Sequence, residues 1–180
     1  MLSSVILKEP SIQVENMNWA KEEMAKITNQ EMIKGTLADA LKGADVFLGL
    51  SVAGALTKEM IKTMASDPII FAMANPIPEI MPEEAKEAGA RIIATGRSDF
   101  PNQVNNCLGF PAIFKGALKV RASQVNEKMK LSASQALASI IPDDELSEDN
   151  TIPNVFNPLV VERESEAVAK AAIESGVARI

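Results

Sequence analysis

Histidine and tyrosine are both absent from this chain, and Cys107 is its single cysteine. Without an imidazole or a phenol, proton transfer near neutral pH falls to Asp, Glu, Lys or the lone thiol. One cysteine excludes an intramolecular disulfide and every multi-cysteine metal site, in keeping with a reducing compartment. Long apolar runs are missing too: no segment approaches the roughly 20 apolar residues that span a bilayer, so no membrane partner is expected. The first eight residues lack a basic start and a small-residue cleavage pattern, which argues against a secretory signal and for a cytoplasmic protein. Basic charge is scarce, with 18 Lys and Arg against 24 Asp and Glu. A net charge of -6 opposes a phosphate-tracking surface, so nucleic acid is not an expected partner. What is present is ordinary for a soluble globular chain: 47% hydrophobic and 23% charged residues. A chain of 180 residues can form one compact domain with a real core.

Apolar spacing predicts a helix over 16–28, introduced by an asparagine cap, and a short one over 35–41 with Thr36 as candidate cap. The pattern then changes. Residues 44–50 form a compact apolar run, expected to be a parallel strand covered on both faces. A helix over 57–64, a strand over 68–74, a helix over 82–89 opened by Pro82, and a strand over 90–95 follow. Strand, helix, strand, helix, strand with right-handed crossovers is half of a doubly wound sheet. The expected fold is therefore α/β, a partial Rossmann-type doubly wound parallel sheet followed by C-terminal helices over about 103–120, 123–140 and 158–175. Residues 142–150 are acidic and without period, and read as a solvated loop.

In a parallel sheet the ligand crevice lies outside the carboxyl ends of the strands, which points to the loops after Leu50, Ala74 and Thr95. The first, Gly49 to Gly54, has two glycines and Ser51, so backbone can approach a ligand closely. The second places Asn75 before Pro76 and Pro78. Its amide suits a nicotinamide carboxamide, a ribose or a carboxylate, and equally a simple turn cap. The third, Thr95 to Asn106, collects five amides or carboxylates and the Arg97 guanidinium. If a helix starts near Gln103, Asn105 and Asn106 lie in its first turn, where free N–H groups favour an anion. The alternative is a capped helix entry with Asp99 paired to Arg97.

Taken together, GADVFLGLSVAG, DPIIFAMANPIPEIMPEEAKEAGARIIATGRSDFPNQVNN and CLGFPAIFKGALKVRAS resemble the bacterial type of malic enzyme. The likeness is dense from Gly35 to Ala133, continues through IPNVFNP and AVAKAAIESGVAR, and is thin before Asn29. It implies an incomplete NAD(P)-binding domain over 1–180, with 1–34 weakly matched, 35–133 as core and 134–180 as a C-terminal helical part. It also implies oxidation of malate with NAD or NADP, then decarboxylation to pyruvate and carbon dioxide with a divalent metal, Mg or Mn. On the family pattern, Asn75, Asn105 and Asn106 bind substrate, while Ser51, Val52, Gly54, Asn75 and Asn105 lie against the cofactor. The resemblance further implies a homo-oligomer for the complete enzyme.

The family's proton donor is a tyrosine, its base a lysine in an earlier domain, and carboxylates near a glycine-rich fingerprint hold its metal. This chain has no tyrosine and no strand followed by G-x-G-x-x-G. It is therefore expected to begin in mid-domain, to contain no catalytic or metal-binding residue of its own and to lack independent turnover. A second reading is a nucleotide-binding or interaction module that pairs with another chain. A third is an unrelated α/β domain with purely structural loops. Cys107 is expected to be buried filler.

Overall fold

The computed structural model describes residues 18–180. The reading of the first eight residues lies outside the described part, as does the start of the first expected helix. The chain divides after Ile93 into two compact units.

In the first unit, α1 (Trp19–Ile27) starts where the Asn18 side chain accepts a hydrogen bond from the Lys21 N–H at 3.0 Å. A Thr36–Asp39 capping box opens α2 (Leu37–Ala40). Then come β1 (Val46–Gly49), α3 (Lys58–Ile61), β2 (Ile69–Ala72), α4 (Pro82–Glu87) and β3 (Ile92–Thr95), which runs across the division. The parallel sheet has the order β1-β2-β3, and β1 pairs with β2 in the register Val46 to Ile69 through Gly49 to Ala72. Thr57 caps α3 by accepting from the Met60 N–H, and Pro82 opens α4, where its missing donor costs nothing. Phe47, Leu56, Ile61, Ile70, Ala72 and Ala85 form the centre of this unit's core.

One expectation fails here. Strand β1 is covered on one face only: Phe47 is buried, but Val46 and Leu48 are exposed to 49% and 62%. An apolar run does not distinguish a strand sandwiched by helices from an edge strand, and β1 is the edge of this sheet. Strands and short helices are also trimmed relative to the sequence reading, since the apolar stretch includes flanking residues that pack without pairing.

The second unit contains a single 3-10 turn (Asn106–Leu108), α5 (Phe110–Lys119), α6 (Glu127–Ala138) and α7 (Pro158–Glu174). Helix α7 packs against both α5 and α6. Its Val160, Val168, Ala171 and Ala172 are buried, and small residues let the helices close in. At Gly116 of α5 a Cβ would lie 2.5 Å from the Ser165 carbonyl oxygen. Asn126 and Asn157 cap α6 and α7 through their side-chain oxygens.

Candidate functional site

The loop after β1 begins at Leu50, and its Ser51, Val52 and Gly54 are exposed. Gly54 has a φ of 72°, with open space where a side chain would stand. Beside this turn lies a cavity of about 430 Å³ lined by Gly54, Thr57, Lys58, Ile77, Glu79 and Met81. That volume falls in the range of small-molecule sites.

The loop after β2 presents Asn75 at the surface, followed by a cis peptide bond to Pro76. Beneath both loops sits Glu79, with none of its surface exposed. Its Oε1 accepts from the Ser51 N–H at 2.6 Å and from the Ser51 hydroxyl at 3.2 Å. Its Oε2 accepts from the Ala74 N–H at 3.0 Å, and its carbonyl accepts from the Leu56 N–H at 3.2 Å. A buried carboxylate is tolerable only when such donors replace water. Ser51 and the residue before Asn75 are thus joined by one side chain. The sequence reading did not single out Glu79; it stands only as the last letter of the ANPIPE run, and nothing local marks it as buried. Gly49 was a signal. A Cβ there would lie 2.6 Å from the Glu79 Cδ, so the strand must end in glycine for the carboxylate to fit.

The third loop belongs to the second unit, and most of its polar groups are consumed within it. Arg97 donates to both carboxylate oxygens of Asp99, at 2.9 and 2.5 Å, and its guanidinium lies 5.4 Å from the centre of the Phe100 ring. That hydrogen bond holds the Asp99 carboxyl below its ordinary value of 3.8. Asn102, nearly buried at a φ of 53°, donates to the Glu148 carbonyl at 2.8 Å and accepts from the Thr151 N–H at 2.8 Å. The acidic loop is solvated, as its composition implies, yet its end is pinned by this amide.

The helix expected from Gln103 begins instead at Phe110. Gln103 pairs with Thr95 in an isolated parallel bridge, and the Val104 N–H donates to the Thr95 carbonyl at 2.7 Å. Backbone committed to a bridge cannot simultaneously start a helix. Asn105 and Asn106 therefore sit at a 3-10 turn, not in the first turn of α5. The Asn105 Oδ1 accepts from the Cys107 N–H at 2.9 Å, so the group it can offer a ligand is its amide NH2. Asn106 is exposed. Cys107 is exposed as well, correcting the expectation of buried filler: in so short a turn Leu108 takes the inward position, 5% exposed.

Among the described residues no group of three His, Cys, Asp or Glu side chains is placed to hold a metal ion. The donor set here does not fit a divalent cation. No helix of the described residues is long and apolar enough to cross a membrane.

A parallel sheet with helical crossovers and exposed polar loops at the carboxyl ends of β1 and β2 defines a Rossmann-type α/β protein. The family model for the NAD-binding domain of malic enzyme matches residues 5–176. The chain belongs to the malic enzyme family. It is 62% identical over 164 residues to a bifunctional malic/malolactic enzyme of Bacillus subtilis, covering 91% of this chain and 40% of that protein. It is 56% identical over 165 residues to an NAD-dependent malic enzyme of Geobacillus stearothermophilus, covering 92% and 34%. The solved malic enzyme of Pyrococcus horikoshii superposes with a TM-score of 0.88 at 49% identity, over 93% of this chain and 39% of that one. The chain thus spans about 40% or less of the length of these relatives.

Proposed function

We propose that this chain supplies cofactor- and substrate-contacting loops to an enzyme that oxidises malate with NAD or NADP and decarboxylates the product to pyruvate and carbon dioxide. Bound NAD(P) would accept the hydride from the malate carbinol carbon. The observation that carries the reading is the exposed Asn75 and Ser51 at adjacent strand ends, on loops fixed by a common buried carboxylate. Asparagine stays neutral at every working pH, so Asn75 can orient a hydroxyl or a carboxamide without competing for the proton. Asn105, its oxygen already engaged, offers N–H donors suited to a malate carboxylate, and exposed Asn106 lies beside it. Val52 and Gly54, exposed on the same loop, give backbone surface for the cofactor's ribose.

These residues bind and orient; they do not transfer the proton. The chain has no tyrosine, so on this reading that proton donor comes from elsewhere in the enzyme, as do the metal-holding carboxylates. Assembly as a homo-oligomer is part of the same reading. Calorimetric titration of the 180-residue chain with NAD and NADP tests it. Binding of one dinucleotide, weakened at least about tenfold by Asn75→Ala, is the expected result, one lost hydrogen-bonded contact corresponding to roughly 1.4 kcal/mol. No binding of either dinucleotide overturns it. Mixed with malate, Mg or Mn and cofactor, the same chain is expected to form no NADH or NADPH, and turnover would overturn the assignment of the chemistry to other residues.

A further inference from the structure

We infer that Glu79 is a positioning residue that fixes both ligand-facing loops and sets the hydrogen-bond polarity of Ser51, so that the loop after β1 receives an uncharged, donor-bearing part of the ligand and not a phosphate. The inference rests on the cofactor reading above and refines it.

Three observations converge on it. The carboxylate has no exposed surface, and its two oxygens divide between the loops: Oε1 takes both Ser51 donors and Oε2 takes the Ala74 N–H. The backbone of Glu79 holds the far end of the first loop through the Leu56 N–H. Gly49 leaves the space the carboxylate fills, since a Cβ there would lie 2.6 Å from its Cδ and 2.7 Å from its Oε1.

The consequence for a ligand follows from donor and acceptor counting. A backbone N–H at the end of a strand is a common phosphate donor, but the Ser51 N–H is spent on Glu79, 2.6 Å away. The Ser51 hydroxyl also points its proton inward at that carboxylate, which leaves only oxygen lone pairs for a ligand. Lone pairs backed by a buried negative charge repel an anion and attract an O–H or N–H. The matching chemistry is a ribose hydroxyl or a carboxamide NH2.

The test compares wild type, Glu79→Gln and Gly49→Ala in the full chain, by NADH fluorescence titration and by the ¹H–¹⁵N signals of Ser51 and Ala74. Glu79→Gln keeps the shape but leaves a single carbonyl acceptor for two loops. Gly49→Ala leaves Glu79 intact and pushes its carboxylate aside, so it serves if the glutamine variant does not fold. Expected are upfield shifts confined to the Ser51 and Ala74 amides as the charge-assisted bonds are lost, and NADH affinity reduced at least about tenfold in a folded variant. A purely structural Glu79 would lower the melting temperature while folded protein kept its affinity, and that result overturns the inference. Affinity that rises when the charge is removed also overturns it, because it would place phosphate against this loop. Wild type that binds no dinucleotide overturns the underlying cofactor reading, and this refinement with it; unaltered binding by the variants of a binding wild type overturns the refinement alone.

Discussion

Each of the two compact units buries a glutamate, and the two are solvated in opposite ways. Glu79 in the strand unit is wholly buried and satisfied by donors from two loops. Glu164 in α7 of the helical unit is 1% exposed, and its Oε2 has no hydrogen-bond partner among the described residues. Burial pushes the Glu164 carboxyl up from 4.5 to about 7. The difference lies in the neighbouring backbone. Strand ends leave N–H groups unclaimed, and a carboxylate can stand in for water there. Within a helix the N–H groups are already bonded one turn back, so a side chain on the buried face finds no donors. A buried acid in the first setting ties two loops together; in the second it weakens the fold at neutral pH.

Removing the acceptor at Glu79 should have the largest effect. Glu79→Leu strands the N–H groups of Ser51 and Ala74 and is expected to cost about 3 kcal/mol in urea unfolding. A loss below about 1 kcal/mol would erase the contrast, because Glu79 would then be no better solvated than Glu164. Next in size is Gly116→Ala, whose new methyl would meet the Ser165 carbonyl. About 2 kcal/mol of destabilisation is expected, read from the shift in denaturation midpoint, and a neutral result would mean that α5 and α7 do not approach as closely as described.

Glu164 sharpens the comparison in the other direction. Its folded pKa is raised, so the neutral form is the one the fold prefers. The stability associated with that form is fully present below about 4.5 and is lost as pH rises through about 7. Glu164→Gln should therefore gain about 1 kcal/mol at pH 8 and little at pH 4, with a flatter pH profile between. A variant less stable than wild type at pH 8 would show that the carboxylate is partnered. The smallest effect is expected at the exposed Lys128–Glu174 pair joining α6 and α7 at 3.1 Å. Lys128→Ala should change stability by less than about 1 kcal/mol, as thermal melts at low and high salt can check.

Much of this architecture was legible beforehand. The order of elements follows from where apolar period changes and from helix-start residues such as Thr36, Thr57 and Pro82, all local features of the chain. The loops after β1 and β2 were singled out as candidates because strand ends in a parallel sheet are where ligands go. The start of α5 was misplaced because Gln103 is claimed by a bridge to Thr95, eight positions back in the chain, which no helical propensity reveals. Cys107 and the outer face of β1 were misjudged for a related reason: burial depends on what else packs there.

What the sequence by itself determined is the fold class, the family and the loops that carry candidate ligand contacts, because these are written in local period, turn chemistry and ordered motif. What only the tertiary structure decided is how each polar group is spent. Glu79 reads as the tail of one motif yet also holds Ser51, 28 residues earlier in the chain. Arg97 and Asp99 read equally as ligand groups or as a pair, and the structure pairs them, while the Asn102 amide is spent on the backbone. Hydrogen bonds are short and directional, so the partner that claims a donor is fixed by distance in space, and separation along the chain carries almost no information about it.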